Sequence, residues 1–209
     1  MESRTLSNIA LTVCALVLLT AVGVGGYLTW RWMQQTDARN AASGVDGAAY
    51  AGLGSDVALT DHNGKALRLR DLHGKVVVLF FGYTHCPDIC PATLYSIAQA
   101  NTVLSKTGGS LTGVFISIDS ARDSSERLRE YVTYFDPKFI GLTGSDTQLA
   151  RMAKDFGAAF EKGEVAADGS YLMSHTTFSY LLNQQGKVVQ LLQASDPPEL
   201  IAKAAQTLL

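Results

Sequence analysis

The six residues from Val76 to Phe81 are all apolar. A strand with apolar side chains on both faces has to be covered on both sides, so it belongs in the middle of a sheet. The flanking patterns agree. Leu59 to Leu67 reads as a hairpin turning at Asn63-Gly64. His73 to Lys75 leads into the buried strand. A helical pattern follows from Pro91 to Ser105, stopping before Gly108-Gly109, and then a second strand from Leu111 to Ile118. Asp123 to Glu126 suggests the cap of a helix running to Phe135, and Ser145 to Gln148 the cap of another running to Phe156. Ala158 to Glu164 is a candidate strand. Tyr171 to Leu182 and Lys187 to Leu192 read as two strands joined through Asn183 to Gly186. Asp196 is placed to cap a final helix, with proline in its first position. The order is hairpin, then β-α-β-α, then β-β-α. Such alternation implies a parallel core with an antiparallel edge. The expected class is α/β: a thioredoxin-like fold with an N-terminal hairpin and insertions.

Ahead of this domain, Ile9 to Trp30 contains no charged residue, and Arg31 ends the run. As a helix it would reach roughly 33 Å, enough to cross a bilayer. One transmembrane helix over residues 9–31 is therefore expected, after a short cytoplasmic N-terminus of residues 1–8. A cleaved signal peptide is the alternative, but its core would be shorter and Ala21 to Gly23 is a mediocre cleavage site. Cys14 then sits within the span, as packing. Gln34 to Gly54 is rich in Ala, Gly, Ser and Asp and reads as a tether, so residues 32–54 are a flexible linker and 55–209 the domain. With Arg4 before the span and Arg31 and Arg39 after it, the charge rule for orientation is nearly silent. An anchor this early leaves no room for a mitochondrial presequence, which favours a bacterial inner membrane. The net charge of −2, without a basic cluster, argues against a nucleic-acid partner. Three cysteines are too few for a disulfide scaffold.

Two of those cysteines, Cys86 and Cys90, fall where the buried strand gives way to the helix. With Cys86 as N-cap and Pro87 at the first helical position, Cys90 lies one turn along the same face. Both sulfurs would then feel the free N–H groups and positive dipole of the helix start, which favours thiolates. Thioredoxin-type redox centres use Cys-x-x-Cys. The extra residue here widens the dithiol, which remains oxidisable but is also able to grip a metal. The plainest alternative, two buried cysteines as small hydrophobes, sits poorly with the polar, turn-forming Thr-His-Cys-Pro-Asp neighbourhood.

Two sulfurs leave a soft ion such as Cu(I) undercoordinated. Of the four histidines, His62 and His73 read as solvent-facing turn residues. His85 adjoins Cys86 and should point away from the sulfurs or set their electrostatics, though it remains a second candidate ligand. His175 precedes a strand, in the loop that a thioredoxin-like fold sets beside the dithiol. Thioredoxins place a cis-proline there, and this chain has no proline near 175. A histidine in its place opens a coordination site and weakens the case for a general thiol oxidoreductase.

The run Gly82-Tyr-Thr-His-Cys-Pro-Asp-Ile-Cys-Pro-Ala-Thr-Leu94 resembles the signature of the Sco/SenC proteins, the copper chaperones of cytochrome c oxidase assembly. The resemblance continues through Phe115 to Asp119, Arg122-Asp123, Gly141 to Gly144 and Ser174 to Leu181. It implies copper, as Cu(I) and also Cu(II), bound by Cys86, Cys90 and His175. It implies delivery of copper, or of reducing equivalents, to the CuA site of oxidase subunit II. A periplasmic copper donor or thiol reductant would be a further partner, with the domain held in the periplasm by its single-pass anchor. Ser174 stands where many members have Asp before the histidine, and Ser120 where many have Pro. Two rivals use the same thiols. One is a thiol-disulfide reductase with Cys86 attacking and Cys90 as its partner; the other is a peroxidase or redox sensor, for which the Cys loop lacks an arginine.

Overall fold

A computed structural model describes residues 23–31, 45–46 and 52–209. The chain divides into two compact units, residues 1–42 and 43–209. In the first, residues 23–31 are helical and exposed. The remainder of the expected anchor, residues 9–22, lies outside the described residues. Among the described residues no helix is long and apolar enough to cross a membrane.

The second unit is built on an eight-stranded sheet. Its strands are β1 (Val45–Asp46), β2 (Leu59–Asp61), β3 (Ala66–Leu67), β4 (Val77–Gly82), β5 (Thr112–Ser117), β6 (Ile140–Thr143), β9 (Ser179–Leu182) and β10 (Val188–Leu192). They run in the order β1-β10-β9-β4-β5-β6-β2-β3. β4, β5 and β6 are parallel, and the flanking pairs are antiparallel. Every residue of β4 is buried, as its two-sided apolar sequence requires. The hairpin β2–β3 turns through Gly64, whose φ of 79° favours glycine. β1 falls within the stretch read as a tether and pairs with β10.

Among the described residues of this unit, four α-helices accompany the sheet: α1 (Ile89–Ser105), α2 (Ser125–Phe135), α3 (Asp146–Asp155) and α4 (Pro198–Gln206). α1 packs against α4, and α2 lies along β6. α3 carries the expected capping box between Ser145 and Gln148. The other starts differ from expectation. α1 begins at Ile89 with Asp88 as N-cap, because the Cys86 N–H closes a turn onto the Tyr83 carbonyl and delays the helix. α2 is capped by Ser124, whose hydroxyl accepts from the Arg127 N–H, while Asp123 turns inward. α4 is capped by Pro197 with Pro198 at its first position, and Asp196 accepts from the Gln193 N–H.

The expected strand from Tyr171 to Leu182 is two strands with different partners. β8 (Met173–His175) pairs with β7 (Phe160–Lys162) in a separate two-stranded sheet, whereas β9 joins the main sheet. Thr176 closes the small hairpin: its N–H donates to the Ala159 carbonyl, and its hydroxyl accepts from the Ala159 N–H. Register there sets Phe160 opposite His175 and Glu161 opposite Ser174.

Candidate metal centre

Three segments converge at the end of β4. Cys86 sits in the loop after the strand, Cys90 at the second residue of α1, and His175 at the end of β8. One donor atom from each lies within 4.8 Å of the other two. Among the described residues this is the one such group of histidine, cysteine or carboxylate side chains. Cys90 Sγ and His175 Nε2 are 3.5 Å apart.

The imidazole is fixed on several sides. Its Nδ1 lies 2.8 Å from the Thr176 carbonyl, which only accepts, so Nδ1 carries the proton and Nε2 keeps its lone pair toward the sulfurs. Its ring stands edge-on to Phe80 and Tyr83, with centroids 5.8 and 6.0 Å away. Burial lowers its pKa, outweighing the Thr176 bond and favouring the neutral ring that a metal needs. Histidine, where thioredoxins have a cis-proline, faces the thiols.

The two thiols are unequal, contrary to the expectation that the helix start would lower both. For Cys86, burial works upward, but N–H groups of Asp88, Cys90 and Ile89 hold its pKa below the ordinary value. Burial pushes Cys90 far up, and the Tyr83 N–H does not offset it; Cys86 and Asp123 raise it further. Cys90 is fully buried against β4. A Cβ on Gly82 would come within 2.9 Å of its sulfur, so glycine there makes room for the ligand.

A buried carboxylate braces the Cys loop. Asp123 accepts from the Thr84 N–H (3.1 Å), the Thr84 hydroxyl (2.7 Å) and the Ser117 hydroxyl (2.7 Å). Burial nevertheless raises its pKa. His85 is exposed and turns to Thr84 and Asp123, with Nδ1 3.1 Å from the Thr84 hydroxyl, and it is not part of the ligand group. His73 is exposed as expected. His62 is not: it is buried, and its Nδ1 accepts from the Gly141 N–H at 3.0 Å. Ser120 donates to Asp146, tying the loop after β5 to the start of α3. Sequence reasoning gave Asp123 to a helix cap and passed over Tyr83. Two threonine and serine hydroxyls near a carboxylate carry no spacing signal.

A sheet of this topology, with two thiols at a strand-to-helix junction and an imidazole opposite, defines a thioredoxin-like domain equipped with a Cys-Cys-His site. The chain matches the SCO1/SenC family over residues 46–209, and it belongs to that family. It is similar to the SCO2-like protein of Rickettsia felis, at 34% identity over 150 residues, covering 71% of this chain and 73% of the relative. The structure of Bradyrhizobium japonicum ScoI with copper bound superposes with a TM-score of 0.69 at 34% identity, over 75% of this chain and 99% of the other. The fold is shared with BsSco, a member of the Sco family of cytochrome c oxidase assembly proteins with a disulfide switch. That match has a TM-score of 0.59 at 20% identity, over 76% of this chain and 96% of the other.

Proposed function

We propose that this protein is a membrane-tethered copper metallochaperone, with Cys86, Cys90 and His175 as the ligands of its cargo. The observation that carries this reading is the cluster itself: two sulfurs and an imidazole nitrogen within 4.8 Å, the nitrogen's lone pair turned toward the sulfurs. Thiolates suit Cu(I), and imidazole suits both oxidation states. Each ligand comes from a different loop or element end, which suits exchange with an incoming site. The recipient is the CuA site of cytochrome c oxidase subunit II, and a periplasmic copper donor or reductant supplies the metal or keeps the thiols reduced. Residues 9–31 are the single inner-membrane anchor and 55–209 the periplasmic domain, joined by a linker over 32–54 whose residues 45–46 pair with β10. Oxidation of Cys86 and Cys90 to a disulfide would remove both sulfur ligands and tie cargo binding to the redox state of the compartment.

A second reading rests on the inequality of the thiols. A half-buried Cys86 with a lowered pKa, beside a buried Cys90 with a raised one, is the arrangement of an attacking and a resolving thiol. That would make the protein a thiol-disulfide reductase for the oxidase copper-site cysteines. Copper titration of the reduced protein and of His175→Ala separates the two. Tight binding of one copper, weakened in the variant, supports the chaperone. Absence of copper binding, with disulfide exchange that survives His175→Ala, would leave the reductase.

A further inference from the structure

The hairpin β7–β8 that carries His175 is outside the main sheet. A lone two-stranded hairpin is marginal on its own in water, so something else must hold the imidazole near the thiols. The loop between β5 and α2 contacts both sides of the site. From it, Asp123 holds Thr84 of the Cys loop, as described. One residue earlier, Arg122 reaches the hairpin. Its Nη1 donates to the Tyr171 carbonyl at 3.0 Å, and its guanidinium carbon lies 3.5 Å from the Tyr171 ring centroid. On its other contacts the guanidinium pairs through Nε with Asp119 and lies 5.7 Å from the ring centroid of Tyr83, the residue that supports His175 edge-on. The Tyr171 hydroxyl donates to the second oxygen of the same Asp119 carboxylate at 2.7 Å. Asp119 is itself buried. The clasp is therefore closed: Asp119 pairs with the guanidinium and accepts from the Tyr171 hydroxyl, while the guanidinium stacks on the Tyr171 ring and donates to its backbone carbonyl.

We propose that Arg122 is a positioning residue for the metal centre, clamping Tyr171 so that His175 stands at ligand distance from Cys86 and Cys90. The proposal rests on the copper reading for its functional meaning, and on geometry alone for the clasp. Cation–aromatic stacking and a planar donor fork are properties of arginine that lysine does not reproduce.

Two measurements on the reduced full-length chain in detergent test it, using Arg122→Ala, Arg122→Lys, Tyr171→Phe, His175→Ala and the Arg122→Ala/His175→Ala pair. In the copper-free protein, amide exchange should accelerate at residues 173–175 in both Arg122 variants, with the core strand 77–82 unchanged. Tyr171→Phe keeps the ring and should give a smaller change. Cu(I) affinity, read by competition with a chromophoric chelator, should fall about tenfold to a hundredfold in Arg122→Ala, as for outer partners of metal ligands. Lysine should not restore it. In the His175→Ala background, Arg122→Ala should cost nothing further. Unchanged exchange at 173–175, or an equal affinity loss with and without His175, would overturn the clasp. Failure of the parent to bind copper, or equal binding by His175→Ala, would overturn the copper reading and leave the exchange result to judge the clasp.

Discussion

Replacing Gly82 by alanine puts one methyl group against three atoms at once. It would lie 2.7 Å from Phe115 Cε2, 2.9 Å from Cys90 Sγ and 3.0 Å from Phe80 Cε1. Carbon atoms in ordinary contact sit about 3.5–4.0 Å apart, so each neighbour has to retreat by roughly 1 Å. Both rings are fully buried and have nowhere to go without moving the sheet core. Overpacking of this kind costs about 1–3 kcal/mol. For a chain of this size each kcal/mol lowers Tm by about 2–4 °C, so a drop of roughly 2–12 °C is expected by calorimetry. The sulfur also has to give way, and it is held 3.5 Å from His175 Nε2. Cu(I) affinity should therefore fall together with Tm. Gly54→Ala, where a Cβ meets open space, is the control and should stay within about 0.5 kcal/mol of the parent. A Gly82→Ala protein that melts with the parent would refute the packing argument. One that melts early but holds copper as tightly as the parent would refute the link to Cys90.

The remaining predictions concern protons and thiols. Because burial keeps Cys90 protonated, loading Cu(I) should release at least one proton, and affinity should rise about tenfold per pH unit across neutral pH; a flat profile measured in weakly buffered titrations would count against Cys90 as a ligand. Iodoacetamide should label Cys86 first and Cys90 slowly, as mass spectrometry of the peptide containing both would show, and equal rates would contradict the unequal pKa directions. Burial lowers the pKa of His62, with Arg129 acting in the same direction and Asp61 against it, and burial also lowers that of His175. The unfolded chain then binds protons first as pH falls. Stability should be complete above the unfolded value of about 6.5 and decline from there toward the folded values. Urea midpoints between pH 5 and 7.5 should show this, with a shallower decline in His62→Asn; an unchanged slope in that variant would remove His62 from the account.

The order of elements was readable because strand and helix periods alternate cleanly from Leu59 to Phe156. The doubly apolar β4 located the sheet centre, and the thiol spacing at its end pointed to the candidate site. Two kinds of feature were not readable. The first is competition for local groups. Asp123 has the spacing of a helix cap but is drawn inward by Thr84 and Ser117, leaving Ser124 to cap α2. Likewise the turn from Tyr83 to Cys86 delays α1 by a few residues and changes which N–H groups reach Cys86. The second is the choice of strand partner. The stretch from Tyr171 to Leu182 looks like one strand because its split depends on β7 and β4 pairing with different halves. His62 follows the same logic: its turn neighbourhood suggests solvent, but the antiparallel pairing of β2 with β6 brings the Gly141 N–H to its ring.

The walls around the proposed copper site set a condition on its charge. Two thiolates with Cu(I) carry one net negative charge, whereas the same ligands with Cu(II) are neutral. Phe80, Tyr83 and the buried face of β4 offer that excess charge little solvation, and the carboxylate of Asp123 lies behind the Cys loop. Ligand softness therefore favours the reduced ion while the surroundings favour the oxidised one. Opposed preferences of this kind would narrow the gap between the two oxidation states of a copper ion held in the proposed site.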